Sequence, residues 1–316
     1  MSDTERHITV AVAQARPNPF DTTASLDTVA QYVARAADEN ARLVVFGETW
    51  LGGYPAWLDL CPGIGLWGDP RMADAFAALR AASITVPGPE CERLAALARE
   101  HEIVVALGVN ERVDSGRGNR TLYNSILVFD ADGTLALHHR KLVPTYTEKL
   151  VWGPGDAAGL KSVDTAAGRL GGLVCWEHWM PLPRQALHLC GETIHLALWP
   201  TVKELHQMAS RCYAFEGRCF VLAVGSILRA ADLPPQLPTD EPLADDALVL
   251  SGGSTIIGPD GEYVASPVFD NETLLVADLD LSAIDRAALT LDVTGHYARD
   301  DVFDFAVRSR ARERRP

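Results

Sequence analysis

The stretch Leu170–Pro183 reads LGGLVCWEHWMPLP, and its periodicity changes halfway. Leu170–Val174 is short and apolar, so it reads as a buried strand. Cys175 stands at the end of that strand, and Leu182–Leu189 continues with apolar residues at helical spacing. A strand that turns towards a helix through a reactive side chain is the setting of a nucleophile elbow, although the G-x-S-x-G pattern itself is absent. Such an elbow aims its side chain into a cleft, and nearby backbone N–H groups favour a thiolate. Free cysteine is also among the most buried residue types, so Cys175 taken alone reads equally well as core.

The same switching runs outward in both directions. Strands are expected at His7–Gln14, Leu43–Phe46, Ile103–Val109, Leu122–Phe129, Thr134–Arg140, Ile194–Leu198, Phe220–Val224, Ser254–Ile257, Glu262–Ala265 and Leu274–Leu279. Helices are expected at Ser25–Asn40, Pro89–His101, Lys203–Arg218 and Leu281–Leu289. Ala131-Asp132-Gly133 and Pro259-Asp260-Gly261 each join two strands and supply a glycine for positive φ, so both read as hairpins. A purely parallel sheet needs no hairpins. The pattern therefore predicts an α/β fold with mixed sheets covered by helices. Ala231–Asp246, rich in Pro and Asp, reads as an irregular surface loop.

The 316 residues can bury a large core without cross-links. Hydrophobic residues make up 47% and charged ones 22%, which excludes a disordered chain. With 28 Lys plus Arg against 42 Asp plus Glu, the net charge is −14. That field disfavours nucleic acid and anionic membranes as partners. No apolar run is long enough to span a bilayer, and the first seven residues look unlike a signal peptide. The six cysteines contain no C-x-x-C pair. Reduced thiols and a cytoplasmic location are expected. Arg308, Arg310, Arg312, Arg314 and Arg315 read as a solvated tail.

Two further segments share the strand-then-reactive-residue design. In LVVFGETWLGGY (Leu43–Tyr54), Glu48 follows an apolar strand. In LHHRKLVPTYTEKLVWGPGD (Leu137–Asp156), Lys141 ends a strand, Pro144 forces the chain out of regular structure, and Glu148 follows seven residues after the lysine. Each residue alone reads as a strand-end side chain in water. The ordered set Glu48, Lys141, Cys175 is far more specific.

These three segments resemble the nitrilase (carbon–nitrogen hydrolase) superfamily over nearly the whole chain. Cys175-Trp176-Glu177-His178, the run after Lys141 and Gly295-His296-Tyr297 resemble its nitrilase branch most. The resemblance implies a four-layer α-β-β-α sandwich, with a hydrolase domain at 1–290 and a C-terminal tail at 291–316. It implies a Glu48–Lys141–Cys175 triad with Glu148 as a second glutamate, and no cofactor. The implied partner is a small-molecule nitrile, with amide hydrolysis or nitrile hydration by the same triad as alternatives. A homodimer or higher homo-oligomer is also implied.

Residues next to the triad are candidate pocket walls: Tyr54, Trp152, Trp176, Trp179 and Trp199, with Thr145 and Thr201 as small neighbours. Trp179 is expected to narrow the pocket against α-branched nitriles. Three rival readings compete with this one. A metal site could draw on His188, Cys190, His195, His206, Cys212 and Cys219, but their spacing matches no standard zinc pattern. A cysteine–histidine hydrolase would use His178 as base and leave Glu48 and Lys141 unexplained. A non-catalytic module would be expected to break the triad.

Overall fold

The first strand, β1 (His7–Gln14), sorts its side chains by parity: Val10 and Val12 enter one apolar cluster, Ala11 and Ala13 another. The strands β2 (Leu43–Phe46) and β3 (Val104–Arg112) do the same, with Leu43, Val45, Val104 and Ala106 on one side and Val44, Phe46, Val105 and Leu107 on the other. Period-2 alternation with both faces apolar is what a strand covered on both sides requires. The computed structural model describes residues 6–308 and gives those two faces their partners.

One sheet has the order β13-β1-β2-β3-β4-β5, adding β4 (Leu122–Phe129), β5 (Leu135–Arg140) and β13 (Thr273–Asp280). The other runs β10-β11-β9-β8-β7-β6, with β12 paired to β11. Its strands are β6 (Val163–Thr165), β7 (Gly168–Val174), β8 (Ile194–Leu198), β9 (Phe220–Val224), β10 (Ile227–Arg229), β11 (Leu248–Ile257) and β12 (Tyr263–Phe269). Val10, Val12, Leu43 and Val45 pack with Leu196 and Leu222 between the sheets. The opposite face of the first sheet packs on α1 (Thr22–Asp38) and α4 (Pro89–His101) through Val29, Val33, Leu94 and Ala98. Residues of α5 (Pro181–Leu189) and α6 (Glu204–Gly217), among them Leu187 and Tyr213, cover the second sheet. Two mixed sheets flanked by helices thus form the expected layered α/β architecture.

Both Asp-Gly hairpins form, with φ of 84° at Gly133 and 80° at Gly261. Several features depart from the sequence reading, among them strands β6 and β10, which have no counterpart in it. The helices α2 (Trp57–Leu60) and α3 (Pro70–Ala81) were not expected. The α3 helix buries only Ala75 and Leu79, too thin a stripe to register as periodicity, although Asp69 caps it and Pro70 opens it. Strand β11 starts at Leu248 rather than Ser254, because Gly252 and Gly253, at φ 76° and 85°, interrupt the alternation inside it. Finally, Cys175 does not lead directly into a helix: Cys175–Trp179 forms a 3-10 turn, and α5 begins after it, at Pro181. The last helix, α7 (Ser282–Ala288), forms where expected. Of the arginine run, Arg310, Arg312, Arg314 and Arg315 lie outside the described residues.

Strands β2 and β3 are parallel, as are β7, β8 and β9. Strand β5 is antiparallel to β4, which is antiparallel to β3, so β5 runs with β2. Glu48, Lys141 and Cys175 therefore each follow the carboxyl end of a strand, the usual place for a site in an open α/β sheet.

Candidate active site

Glu48, Lys141, Glu148 and Cys175 converge and are almost completely buried, at 0%, 1%, 3% and 3% exposure. Lys141 Nζ donates to Glu48 Oε1 at 3.0 Å and to Glu148 Oε2 at 2.6 Å. Carboxylate oxygens of both glutamates and the Cys175 sulfur lie within 4.8 Å of one another. Asn124 Nδ2 donates to Glu48 Oε1 at 2.6 Å, so that oxygen takes two donors while Oε2 has no partner among the described residues. Glu148 is held from the other side by the Thr145 amide (2.7 Å) and the Tyr54 hydroxyl (3.1 Å).

Local backbone chemistry makes this convergence possible. Cys175 has φ 54°, a left-handed conformation uncommon outside glycine and often found where a side chain must be presented to a site. A Cβ on Gly108 of β3 would stand 2.4 Å from the Gly47 carbonyl and 2.8 Å from the Glu48 Cα, so only glycine lets β3 approach the Glu48 turn.

Burial raises the Glu48 pKa to about 7, against the pull of the Lys141 cation. The two carboxylates hold the Lys141 pKa above its usual value despite burial. Burial first, and the Glu48 charge next, push the Cys175 thiol well above its ordinary range. This reverses the expectation that elbow amides favour a standing thiolate: the thiol keeps its proton until a base removes it. Glu48 stands near enough to take that proton, and only its ionised form can do so. The kcat/KM of any reaction begun by that proton transfer is accordingly expected to fall with pH below about 7, approaching tenfold per pH unit on the acid limb. A pH series at low substrate checks this, and a profile flat down to pH 5 would contradict the assignment.

The cluster could offer a metal ion two carboxylates and a thiolate. The Lys141 ammonium, bonded to both carboxylates, already supplies the cation that such a donor set needs. Among the described residues, His188, Cys190, His195, His206, Cys212 and Cys219 do not gather into a ligand group. His178 does not meet the thiol either: its Nδ1 lies 2.7 Å from the Cys175 carbonyl oxygen.

A cavity of about 380 Å³ opens over the thiol, and Tyr54, Thr145, Glu148, Trp176 and Thr201 line it with Cys175. Trp152, Trp179 and Trp199 are not in its lining. Trp152 packs tilted against Tyr54, with ring centroids 6.0 Å apart, and donates to Asn110 Oδ1 at 3.0 Å. Trp199 is fully buried, donates to Ser210 Oγ and stacks on His178. Trp179 is partly buried against the large apolar cluster and lies outside the cavity lining, so it does not narrow the cavity as expected. Trp176, 44% exposed, borders the cavity instead. Asp59 and Lys203, which the sequence did not single out, add polar groups to the lining, as does His206, named there only as a possible metal ligand. Asn124 was also missed; its only sequence signal is one amide inside the apolar strand LYNSILVF.

The carbon–nitrogen hydrolase family model matches residues 9–288. The chain is 42% identical over 302 residues to an aliphatic nitrilase of Sinorhizobium fredii, with 94% of each chain covered. It is 38% identical over 308 residues to a bifunctional nitrilase/nitrile hydratase of Nicotiana tabacum, covering 96% of this chain and 87% of that one. A carbon–nitrogen hydrolase crystal structure from Helicobacter pylori shares the fold at TM-score 0.72 and 21% identity, covering 94% and 97% of the two chains. The protein belongs to the carbon–nitrogen hydrolase family.

Proposed function

We propose that the protein is a nitrilase, converting a small organic nitrile and two waters to a carboxylic acid and ammonia. One observation carries the reading: a buried lysine bridges two carboxylates beside a cysteine thiol at the floor of a cavity. A nitrile carbon is a weak electrophile, which suits a soft and strong nucleophile such as sulfur. Glu48 takes the Cys175 proton as sulfur attacks, then delivers it to the nitrile nitrogen, giving a thioimidate. A first water adds to the carbon, the nitrogen leaves as ammonia, and a thioester remains. A second water releases the acid and returns the proton to sulfur. Lys141 stabilises charge that develops on nitrogen and then on oxygen. Glu148 holds Lys141 in place and stands where it can orient the water. Tyr54, Thr145, Trp176 and Thr201 form the substrate walls in this reading, and no cofactor takes part.

The branch point is the tetrahedral intermediate formed by the first water. Breaking its carbon–nitrogen bond leads to acid, and breaking its carbon–sulfur bond releases amide. The tobacco relative, described as bifunctional, makes the second outcome a live one for this chain. Matched panels of nitriles and amides, read by ammonia release and product identity, separate the readings. Acid and ammonia from nitriles are expected, whereas turnover of amides alone would make the protein an amidase and overturn the proposal.

The proposal extends to a cytoplasmic enzyme that acts as a homodimer or larger homo-oligomer, without nucleic-acid or membrane partners. Among the described residues no helix is long and apolar enough to cross a membrane. Leu182 and Leu189 of α5 and Leu205, Met208 and Phe215 of α6 are exposed, and an apolar face of that kind suits a second copy. The domain division at 290 stays part of the same proposal.

A further inference from the structure

Behind the elbow lies a buried polar cluster that the chemistry above does not use. His178 Nδ1 is 2.7 Å from the Cys175 carbonyl oxygen, and its Nε2 is 3.0 Å from His195 Nε2. His195 Nδ1 is 2.9 Å from Glu192 Oε2, and the Tyr213 hydroxyl donates to Glu192 Oε1. His178, His195 and Tyr213 are wholly buried, and Glu192 is 5% exposed.

Hydrogen accounting gives this cluster a direction. A carbonyl can only accept, so His178 Nδ1 carries a hydrogen. A neutral His178 then accepts at Nε2, which makes His195 Nε2 a donor. A neutral His195 accepts at Nδ1, so Glu192 Oε2 donates as a carboxylic acid. Burial favours each of these neutral forms: it lowers the His178 pKa to about 3, lowers that of His195 and raises that of Glu192 to about 7. The donors therefore all point one way, from Tyr213 through Glu192, His195 and His178 to the carbonyl of the nucleophile.

Ring stacking stiffens the chain. His195 lies on Tyr213 at 3.7 Å, and His178 lies on Trp199 at 4.7 Å, each at 26°. The Trp199 carbonyl in turn accepts from the Glu48 amide at 3.3 Å. One packed block thus touches the backbone of both the nucleophile and its base. The chain ends on a carbonyl oxygen, which cannot relay a proton to sulfur, so its effect is on geometry. It grips the peptide that follows Cys175, the residue held at φ 54°.

We propose that Tyr213, Glu192, His195 and His178 act as one ordered donor chain that fixes the Cys175 peptide and so sets the thiol against Glu48. His178 and His195 are positioning residues in this scheme. The proposal rests on the assignment of Cys175 as nucleophile, and its test does not require nitrile turnover.

The test compares the full-length protein with His195→Leu, His195→Asn and His195→Gln. Two quantities are read: the iodoacetamide alkylation rate of the Cys175 peptide by mass spectrometry, and kcat and KM on the best nitrile. Leucine breaks the chain, and asparagine is too short to bridge Glu192 and His178. Each should slow Cys175 alkylation and kcat by on the order of 10–100-fold with KM within about threefold, since small misplacements at a reacting centre are costly. Glutamine can accept from Glu192 and donate to His178, and should recover alkylation to within about fivefold. Alkylation of the exposed Cys212 should not change. If the leucine variant fails to fold, the asparagine–glutamine pair decides. Folded variants with wild-type Cys175 alkylation, or glutamine no better than asparagine, would overturn the proposal. Slowed alkylation in variants of a wild type that turns over no nitrile would keep the positioning role and reject the nitrilase reading.

Discussion

Cys175→Ala is expected to lower kcat by at least ~10⁴-fold while leaving the fold intact. The loss is large because the sulfur forms both covalent intermediates and no neighbour can replace it. Among the described residues, carboxylate oxygens of Glu48 and Glu148 lie within 4.8 Å of the sulfur, and Lys141 holds both. The fold survives because the left-handed backbone at residue 175 is held through main-chain atoms: the His178 ring on its carbonyl and the Glu177 carboxylate on the Val174 and Leu142 amides. Activity on the best nitrile, with near-ultraviolet circular dichroism as the fold control, checks this. A folded alanine variant within tenfold of wild type would remove Cys175 from the mechanism.

Lys141→Met is expected to cost on the order of 10²–10⁴-fold in kcat. Methionine roughly keeps the volume and removes the charge, with two consequences at once. The cation that stabilises developing charge on nitrogen and oxygen is lost. Glu48, buried and no longer bonded to an ammonium that holds its pKa down, takes up a proton more readily. A protonated Glu48 cannot act as a base. Any residual activity of the variant should therefore show an acid limb moved to higher pH than in wild type. Near wild-type kcat, or an unmoved acid limb in a folded variant, would show that Lys141 does not serve both roles.

Much of this site could be read from the chain because each of its three principal residues stands just past the end of a strand. Strand ends are where side chains leave the sheet, and β2, β5 and β7 have simple patterns. The hairpins were legible for a similar local reason, since Asp-Gly supplies the positive φ that the turns need. The pocket walls were harder. Nearness in sequence to a catalytic residue suggested Trp179 and Trp199, but a residue three or four positions along a 3-10 turn or just past a strand faces another way. Trp176 borders the cavity while Trp179 packs into the core, although both belong to the Cys175 turn. The Asn124–Glu48 bond joins segments 76 residues apart, and the His178–His195 contact joins a turn to the next strand; no periodicity reports such pairings. The short α3 helix escaped because its cap signals, Asp69 and Pro70, are local while its apolar stripe is nearly empty.

The most direct test of the central claim is to quench the wild-type enzyme during turnover of a nitrile and map covalent adducts by peptide mass spectrometry. The account predicts substrate mass, as thioimidate or thioester, on the peptide that carries Cys175. Adduct on Cys190 or Cys212 instead, or acid accumulating with Cys175 unmodified at every time point, would contradict it.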